Sequence, residues 1–281
     1  GVLHYPRERD LHDHPVPGLG GLAILVAAVF SALIFLPANQ ETRGIVAGAI
    51  AIALVGAVDD VRPGGLHPLV KLAGQFGAAA IPVWSGVHPE TMTLPFLDPI
   101  DLGAWAYPLT LVGIVAVMNV VNFTDGADGL AAGVCTIAAA TFAIIALSLN
   151  RDAAGVLAAL TAGAAIGFLW HNFHPASIFM GDAGSNLLGL LLACVAIQGV
   201  LKTAAVVALF FPLVILAVPI LDTGFVVAKR IKYRKPVYSP DKEHFHHRFD
   251  RIGFSQRRTV LYLYAWTLAL AALALALRFV P

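Results

Sequence analysis

The sequence predicts an all-α polytopic membrane protein, a bundle of about nine or ten transmembrane helices. Of its 281 residues, 58% are hydrophobic and only 12% are charged, whereas a soluble globular domain carries about 25% charged residues. The mean hydropathy is +0.80. Apolar stretches long enough to cross the hydrocarbon layer of a bilayer recur along the whole chain, which is the second reason for this prediction.

Nine stretches predict membrane spans: 18–37, 42–58, 67–84, 105–121, 130–149, 153–170, 186–200, 203–228 and 259–279. A spanning helix needs about 20 mostly apolar residues, so the second and seventh stretches are short and the eighth is long. Pro212 and Pro219 predict that the eighth kinks or breaks. The chain starts without Met at a polar tract. We therefore expect a further, first helix upstream of residue 1, and treat 1–281 as one integral membrane domain.

Basic residues orient these spans. Fourteen of the 18 Lys and Arg fall on one side of the predicted spans, and the other four are Arg43, Arg151, Lys202 and Arg278. Because Lys and Arg are enriched in cytoplasmic loops, the larger group marks the cytoplasmic side. A net charge of +1 does not favour nucleic acid as a partner. Cys135 and Cys194 lie inside apolar runs, which is typical of core residues rather than a disulfide or a metal site.

Four polar clusters fall on the predicted cytoplasmic side: 58–62, 122–129, 174–185 and 241–249. The loops on the other side contain little except a connector at 85–104. Polar groups that are far apart in the chain but share one membrane face predict one common site there.

In the first cluster, Asp59 and Asp60 are adjacent at the end of a predicted helix. Two carboxylates in this position repel each other and oppose the helix dipole. Either Arg62 and Lys71 or a metal ion is expected to offset their charge, and Mg²⁺ prefers such oxygen ligands. The alternative is a plain helix stop at the membrane interface, with the turn at 63–65.

The second cluster contains Asn119, Asn122, Asp125 and Asp128. Residues three apart drift by about 60° per step around a helix, so these four do not form one packed stripe. We predict a helix that ends near Asn122, followed by a glycine-containing turn that presents the two aspartates. The alternative for Asp128 is that it caps the next helix.

In the third cluster, Asp182 lies between Gly181 and Gly184, just before Ser185. Ser185 is predicted to be the N-cap of the following helix, whose free N–H groups would form an anion or phosphate site that a metal ion bridges to Asp182. Phe179 could stack on a base, although packing at the membrane interface is the simpler interpretation of this side chain.

The fourth cluster contains His244, His246, His247 and Arg248. A basic loop at anionic lipid headgroups and a zinc site, which no nearby Cys supports, are two alternatives. The third interpretation is that the imidazole and guanidinium groups donate hydrogen bonds to a diphosphate.

Taken together, four motifs resemble the polyprenyl-phosphate N-acetylhexosamine-1-phosphate transferase family over nearly the whole chain. They are "DD" at 59–60, "NVVNFTDGADGL" at 119–130, "FMGDAGSNLLG" at 179–189 and "HFHH" at 244–247. The last motif resembles the H-x-H-H form of the GlcNAc-1-phosphate transferases. It is unlike the three consecutive histidines of the branch that uses UDP-MurNAc-pentapeptide.

The resemblance implies Mg²⁺-dependent transfer of N-acetylhexosamine-1-phosphate from a UDP-sugar to undecaprenyl or another polyprenyl phosphate, with release of UMP. The group that it favours is GlcNAc-1-phosphate. Mn²⁺ is expected to substitute for Mg²⁺. The reaction would start O-antigen (lipopolysaccharide), teichoic acid or arabinogalactan synthesis at the bacterial cytoplasmic (inner) membrane, with the active site facing the cytoplasm. The apolar helix faces would also permit a homodimer.

The same resemblance assigns roles to individual residues. It implies catalytic roles for Asp59, Asp60, Asp125 and His246, metal coordination by Asn122 and Asp182, and substrate contacts by Lys71, Asn119, Asp128, Phe179, His244, His247 and Arg248.

Two other classes of protein compete with the enzyme. A membrane transporter or ion-coupled carrier also uses carboxylates at the membrane edge, but predicts polar groups at mid-membrane depth and accessible from both faces. A non-catalytic lipid-binding protein would explain the basic loops, but not the acidic positions beside them.

Overall fold

The structure, a computed structural model, describes residues 3–4, 16–92, 100–201, 210–233 and 253–279. These residues form a helical bundle with two short antiparallel β-ribbons, each of two-residue strands. The helices are α1 (Gly20–Phe35), α2 (Gln40–Val61), α3 (Pro68–Trp84), α4 (Ala106–Thr124), α5 (Leu130–Ser148), α6 (Asp152–Asn172), α7 (Gly181–Ala196), α8 (Phe210–Ile215), α9 (Ala217–Lys232) and α10 (Gln256–Phe279). The ribbons pair β1 (Leu3–His4) with β2 (Val16–Pro17) and β3 (Thr91–Met92) with β4 (Ile100–Asp101).

Every predicted span corresponds to a helix, which confirms an all-α polytopic membrane protein. Six helical stretches of the described chain are long and apolar enough to cross a membrane: Gln40–Val61, Gly103–Thr124, Leu130–Ser148, Asp152–Asn172, Gly181–Val200 and Gln256–Phe279. Helix α1 is apolar but shorter.

The helix ends differ from the predictions because polar residues extend several helices past the apolar core. Helix α2 starts at Gln40, where the side chain of Asn39 accepts a hydrogen bond from the Thr42 N–H at 2.8 Å, a common N-cap arrangement. Helix α7 starts at Gly181, five residues before the predicted span, and continues as a π-helical segment, Ile197–Leu201. The eighth span is broken between α8 and α9, between the two prolines that predicted it.

Helix α7 is the centre of the bundle. It is almost entirely buried and packs against α1, α2, α4, α5 and α6. Glycines let the neighbouring backbones approach it closely, as small residues do in membrane helix packing. A Cβ on Gly56 of α2 would overlap the backbone of Ala183, and one on Gly189 would lie 2.6 Å from the Cα of Met118. These close contacts fix the first turn of α7 against α2 and its third turn against α4.

Because consecutive helices alternate in direction, one end of the bundle collects the C-terminal ends of α2, α4 and α6 and the first turns of α3, α5 and α7. We call this end the site face. Arg62, Lys71 and Arg257 belong to it. At the opposite end, Gln198 donates to Glu41 at 2.7 Å and Arg278 donates to the backbone carbonyl of Ser148 at 2.7 Å. The predicted convergence of polar clusters on one face is therefore confirmed for the described clusters.

Candidate active site

The carboxylate of Asp60 caps the start of α7. Its Oδ1 accepts a hydrogen bond from the backbone N–H of Asp182 at 2.8 Å, and its Oδ2 accepts one from Ala183 at 3.0 Å. Gly181 has a φ of +70°, and a Cβ there would overlap the Asp60 carboxylate. Glycine is therefore required at this position by both backbone conformation and space. An anion at a helix N-terminus is stabilised by the free N–H groups and the dipole.

Two predictions about α7 are wrong for this reason. Ser185 is not its N-cap but lies in its second turn, where the hydroxyl donates to the Gly181 carbonyl at 3.0 Å. The first amides of α7 do not form a free anion site, because the carboxylate of Asp60 occupies them. Sequence analysis missed this because the cap comes from a residue 122 positions away along the chain.

Three carboxylates meet where α2 ends and α7 begins. Oxygens of Asp59, Asp60 and Asp182 all lie within 4.8 Å of one another. Asp59 also accepts a hydrogen bond from the Leu66 N–H at 2.6 Å, so the turn after α2 folds back over its side chain. Carboxylates this close repel each other unless a cation or protons offset the charge.

Lys71 supplies one such cation. It lies in the first turn of α3, and its Nζ contacts Asp182 Oδ2 and donates to Asn122 Oδ1 at 3.2 Å. The amide of Asn122 also donates to Asp182 Oδ1 at 2.7 Å and to Ser185 Oγ at 2.8 Å. The expected role of Lys71 in offsetting the acidic cluster is thus observed, whereas Arg62 is exposed on the turn after α2.

The same arrangement fits a hard divalent cation. The ammonium of Lys71 lies between Asn122 and Asp182, the two predicted metal ligands, so a positive charge is already stabilised at that point. Carboxylate and amide oxygens are the donors that Mg²⁺ prefers. The side chains of Lys71 and Asp182 are 22% and 21% exposed, which leaves the cluster open to solvent.

A buried amide network supports this cluster from behind. Gln75 donates to Asn186 Oδ1 at 2.7 Å and accepts from Asn119 at 2.9 Å, and Asn186 donates to the carbonyl of Asp182 at 2.8 Å. Gln75 and Asn186 are each 1% exposed. The network joins α3, α4 and α7. Asn119 was predicted to contact substrate, but in the structure its side chain is bonded to protein groups.

Sequence analysis did not single out Gln75 or Asn186. The available signal was spacing, because Gln75 follows Lys71 by four positions and Asn186 follows Asp182 by four. Residues four apart share a helix face. In an apolar helix, a buried amide on the face of a charged residue indicates a hydrogen-bonded network.

The turn between α4 and α5 carries Asp125 and Asp128, as predicted, but Asp128 is buried in it, and α4 ends at Thr124 rather than near Asn122. Asp125 is half-buried at this turn. Desolvation, and to a smaller extent the charges of Asp182, Asp60 and Asp128, raise its pKa to about 8. A carboxyl with this pKa is mostly protonated at neutral pH.

Asp128 does not cap α5, so that alternative is wrong. It is 5% exposed and accepts hydrogen bonds from the backbone N–H of Ala176 at 3.1 Å and from His174 Nδ1 at 2.9 Å. Gly129, with a φ of +76°, precedes α5 instead. Asp128 therefore joins the α4–α5 turn to the segment between α6 and α7, and His174 is a third residue that sequence analysis left without a role.

Phe179 lies on that same segment, next to the start of α1. Its N–H donates to the carbonyl of Pro17 at 2.9 Å, and its carbonyl accepts from the Gly20 N–H at 3.0 Å. The side chain is half-buried at the site face, and its stacking on a base stays a prediction. His244, His246, His247 and Arg248 lie outside the described residues, so their predicted roles also stay predictions.

Of the predicted residues that the structure describes, Asp59, Asp60, Lys71, Asn122 and Asp182 come together in one cluster. Asp125 lies near this cluster, and the charges of Asp182 and Asp60 help to raise its pKa. Asp128 belongs to a separate contact with His174.

Comparison with known proteins places the chain in a family. The family model "Glycosyl transferase family 4" matches residues 42–200, which run from the third residue of α2 past the end of α7 and contain the whole cluster. The chain is 39% identical to the probable undecaprenyl-phosphate N-acetylglucosaminyl 1-phosphate transferase of Bacillus subtilis, over 94% of this chain and 74% of that protein.

Two further relatives show the range of the family. Identity is 41% with the decaprenyl-phosphate N-acetylglucosaminephosphotransferase of Mycobacterium leprae, over 94% of this chain and 74% of that one. It is 36% with the phospho-N-acetylmuramoyl-pentapeptide-transferase of Caldanaerobacter subterraneus subsp. tengcongensis, over 92% and 82%. The resemblance carried by the four motifs is thus confirmed, and the chain belongs to glycosyl transferase family 4.

Proposed function

We propose that this multi-pass membrane protein transfers GlcNAc-1-phosphate from UDP-GlcNAc to a polyprenyl phosphate, with Mg²⁺ as cofactor and UMP as the second product. The observation that carries the proposal is the cluster of Asp59, Asp60, Asp182, Asn122 and Lys71 at one end of a membrane bundle. Two of the relatives are named as N-acetylglucosamine phosphate transferases that act on undecaprenyl and decaprenyl phosphate. The motif at 244–247 favours the same branch.

Transfer of a phosphoryl-type group requires alignment and neutralisation of charge more than covalent chemistry by the protein. A Mg²⁺ ion held by Asp182 and Asn122, with Asp59 in reach, would neutralise the charge on the diphosphate oxygens. Lys71 already lies between the two ligands and donates hydrogen bonds there. With Mg²⁺ on these ligands, the ammonium would lie beside the ion and would bind a phosphate oxygen of the donor.

In the proposed reaction, an oxygen of the lipid phosphate attacks the β-phosphorus of the UDP-sugar. A new P–O bond forms, the bond from the β-phosphorus to the bridging oxygen breaks, and UMP leaves with that oxygen. The acceptor phosphate has a second pKa of about 6 and is mostly dianionic at neutral pH. Asp59 has only to orient it or remove the last proton. No phospho-enzyme forms, and trapping a phosphoaspartate at Asp59 or Asp60 would overturn this step.

Asp60 and Asp125 take supporting roles in this mechanism. Asp60 holds the first amides of α7 and thereby fixes the position of Asp182. Asp125, whose pKa is raised to about 8, is neutral at pH 7 and can donate a hydrogen bond beside the negatively charged nucleotide. Asp128 fixes the same turn, and the predicted histidines at 244, 246 and 247 complete the donor site.

We propose that the site faces the cytoplasm of a bacterium, because fourteen of the 18 Lys and Arg are predicted on the same side of the spans as the acidic cluster. This one-sided placement disfavours the transporter, which needs polar groups in the middle of the membrane. Among the described residues, the carboxylate cluster lies at helix ends.

The test is transfer by the purified protein in detergent, with radiolabelled UDP-GlcNAc, undecaprenyl phosphate and Mg²⁺. We expect a labelled lipid product and unlabelled UMP, no product in EDTA, and partial recovery with Mn²⁺. UDP-GalNAc and UDP-MurNAc-pentapeptide serve as competing donors. No product with any of the three donors would overturn the proposal.

A further inference from the structure

The turn that carries Asp125 and Asp128 does not rest on the main hydrophobic core. The residues around it, Ala127, Leu130 and Val134, belong to a second buried cluster. That cluster is completed by Val260 and Leu263 of α10, together with Val218 of α9. Helix α10 is therefore the surface beneath the turn, while the main core holds α7 and the carboxylate cluster.

One side chain of α10 also bonds to the turn directly. The hydroxyl of Tyr264 donates to the carbonyl of Gly129, the residue that joins Asp128 to α5. On the other side of the same residue, the Gly129 N–H donates to Asn172 Oδ1 at 3.0 Å. Gly129 is thus held from both sides in a left-handed conformation.

The chain leaves room for this contact. One turn into α5, a Cβ on Gly133 would overlap the phenol ring of Tyr264. The absent side chain at position 133 therefore forms the notch in which the ring lies. The Gly133 N–H also donates to the Gly129 carbonyl at 2.9 Å, so the carbonyl accepts both the first α5 bond and the phenol.

A second contact from α10 reaches the partner segment. The guanidinium of Arg257 lies 5.8 Å from the ring centroid of Phe173, beside His174, which bonds Asp128. The first half of α10 thus touches both segments that position Asp125 and Asp128.

We infer that Tyr264 is a positioning residue for the nucleotide half of the site: its hydroxyl, acting through the Gly129 carbonyl, fixes the turn that holds Asp128 against His174 and presents Asp125 to the sugar nucleotide. The identity of the ligand, a sugar nucleotide, rests on the proposed function. The anchoring of the turn by Tyr264 does not. Tyr264 does not touch the carboxylate cluster, so it acts on binding of the donor and not on the transfer step.

The test compares Tyr264→Phe with Tyr262→Phe. The first change keeps the ring in its notch and removes the donor. The second removes the hydroxyl of an exposed tyrosine on the same helix, whose ring packs edge-on against Phe254. Loss of one side-chain hydrogen bond inside a membrane protein changes an equilibrium constant by about three- to fifteenfold. We expect the KM for UDP-GlcNAc to rise by this factor in Tyr264→Phe, with kcat and the KM for polyprenyl phosphate within about twofold.

A second measurement needs no substrate. Hydrogen exchange by mass spectrometry should show faster exchange in peptides covering 126–134 in Tyr264→Phe, and no change in Tyr262→Phe. Gly133→Ala should reproduce the faster exchange, because its methyl group displaces the ring although the hydroxyl is retained.

The outcomes separate the two proposals. Unchanged exchange in Tyr264→Phe, or faster exchange with an unchanged KM, overturns the positioning role. A fall in kcat with an unchanged KM would indicate a smaller active fraction and also overturns it. Faster exchange in a protein whose wild type transfers nothing supports the anchoring of the turn and counts against the proposed function.

Discussion

Replacing Asp60 by Ala tests whether this carboxylate holds α7 in place or serves only as a ligand. The substitution removes two hydrogen bonds to backbone amides, at 2.8 and 3.0 Å. Bonds to a charged group contribute about 1.5–3 kcal/mol each, and loss of a helix N-cap costs about 0.5–2 kcal/mol. The change also removes a negative charge within 4.8 Å of Asp59 and Asp182, which returns about 1–3 kcal/mol for each repulsion relieved.

Asp59→Ala is the matched control because it relieves the same repulsion but loses one backbone bond, to Leu66. Because the two amide bonds of Asp60 are themselves the helix cap, the difference between the two variants is one charge-assisted bond, about 2 kcal/mol. At about 2–4 °C per kcal/mol for a chain of this size, Asp60→Ala should melt about 4–8 °C below Asp59→Ala.

The assay is tryptophan fluorescence on heating of detergent-solubilised protein, with and without Mg²⁺. Transfer should fall in both variants, and in Asp60→Ala the fall should be at least about a hundredfold, because a shift of about 1 Å at Asp182 is enough for that loss. If Asp60→Ala melts at or above the temperature of Asp59→Ala, the carboxylate does not anchor α7, and our account of Asp60 is wrong.

Three further predictions use the same preparations. Asp182→Ala should reduce transfer by about a thousandfold or more and abolish its Mg²⁺ dependence, whereas the buried core substitution Cys135→Ala should leave transfer intact; near-normal turnover of the first would refute the metal assignment. Because the pKa of Asp125 is raised to about 8, its contribution to stability is complete below about pH 4 and is lost as the pH rises through 8. The melting temperature in EDTA should therefore fall between pH 5 and pH 8 in the wild type and fall less in Asp125→Asn, and parallel curves would contradict the shift. Gly56→Leu should lower the melting temperature and transfer together, because its side chain would overlap Ala183 at the start of α7; unchanged values would show that this contact is not required.

Local chemistry explains why so much of the architecture was predictable. Each span is a run of apolar residues whose length is set by the bilayer. The prolines at 212 and 219 marked the break between α8 and α9 because proline removes a helical hydrogen bond wherever it occurs. The site face followed from the alternation of helix direction, since every polar cluster at the end of an even-numbered span had to meet those at the start of the next.

Hydrogen-bond partners were not predictable in the same way. Asp60 bonds residues 122 and 123 positions away, and Gln75 bonds Asn186 over 111 positions. A serine just before an apolar run resembles an N-cap in any sequence. Only the approach of α2 to α7 shows that a distant carboxylate, rather than Ser185, caps this helix.

The amino-acid sequence alone determined that the chain is a multi-pass membrane protein and that its acidic and amide side chains gather at one end of the helices, because these properties depend on composition and on distances of one or two helical turns. Tertiary packing decided which carboxylate caps a helix, which lies beside the Lys71 ammonium and which is desolvated into its neutral form. Those properties depend on backbones brought within a few ångströms of each other by small residues far apart in the chain, and no local pattern records that contact.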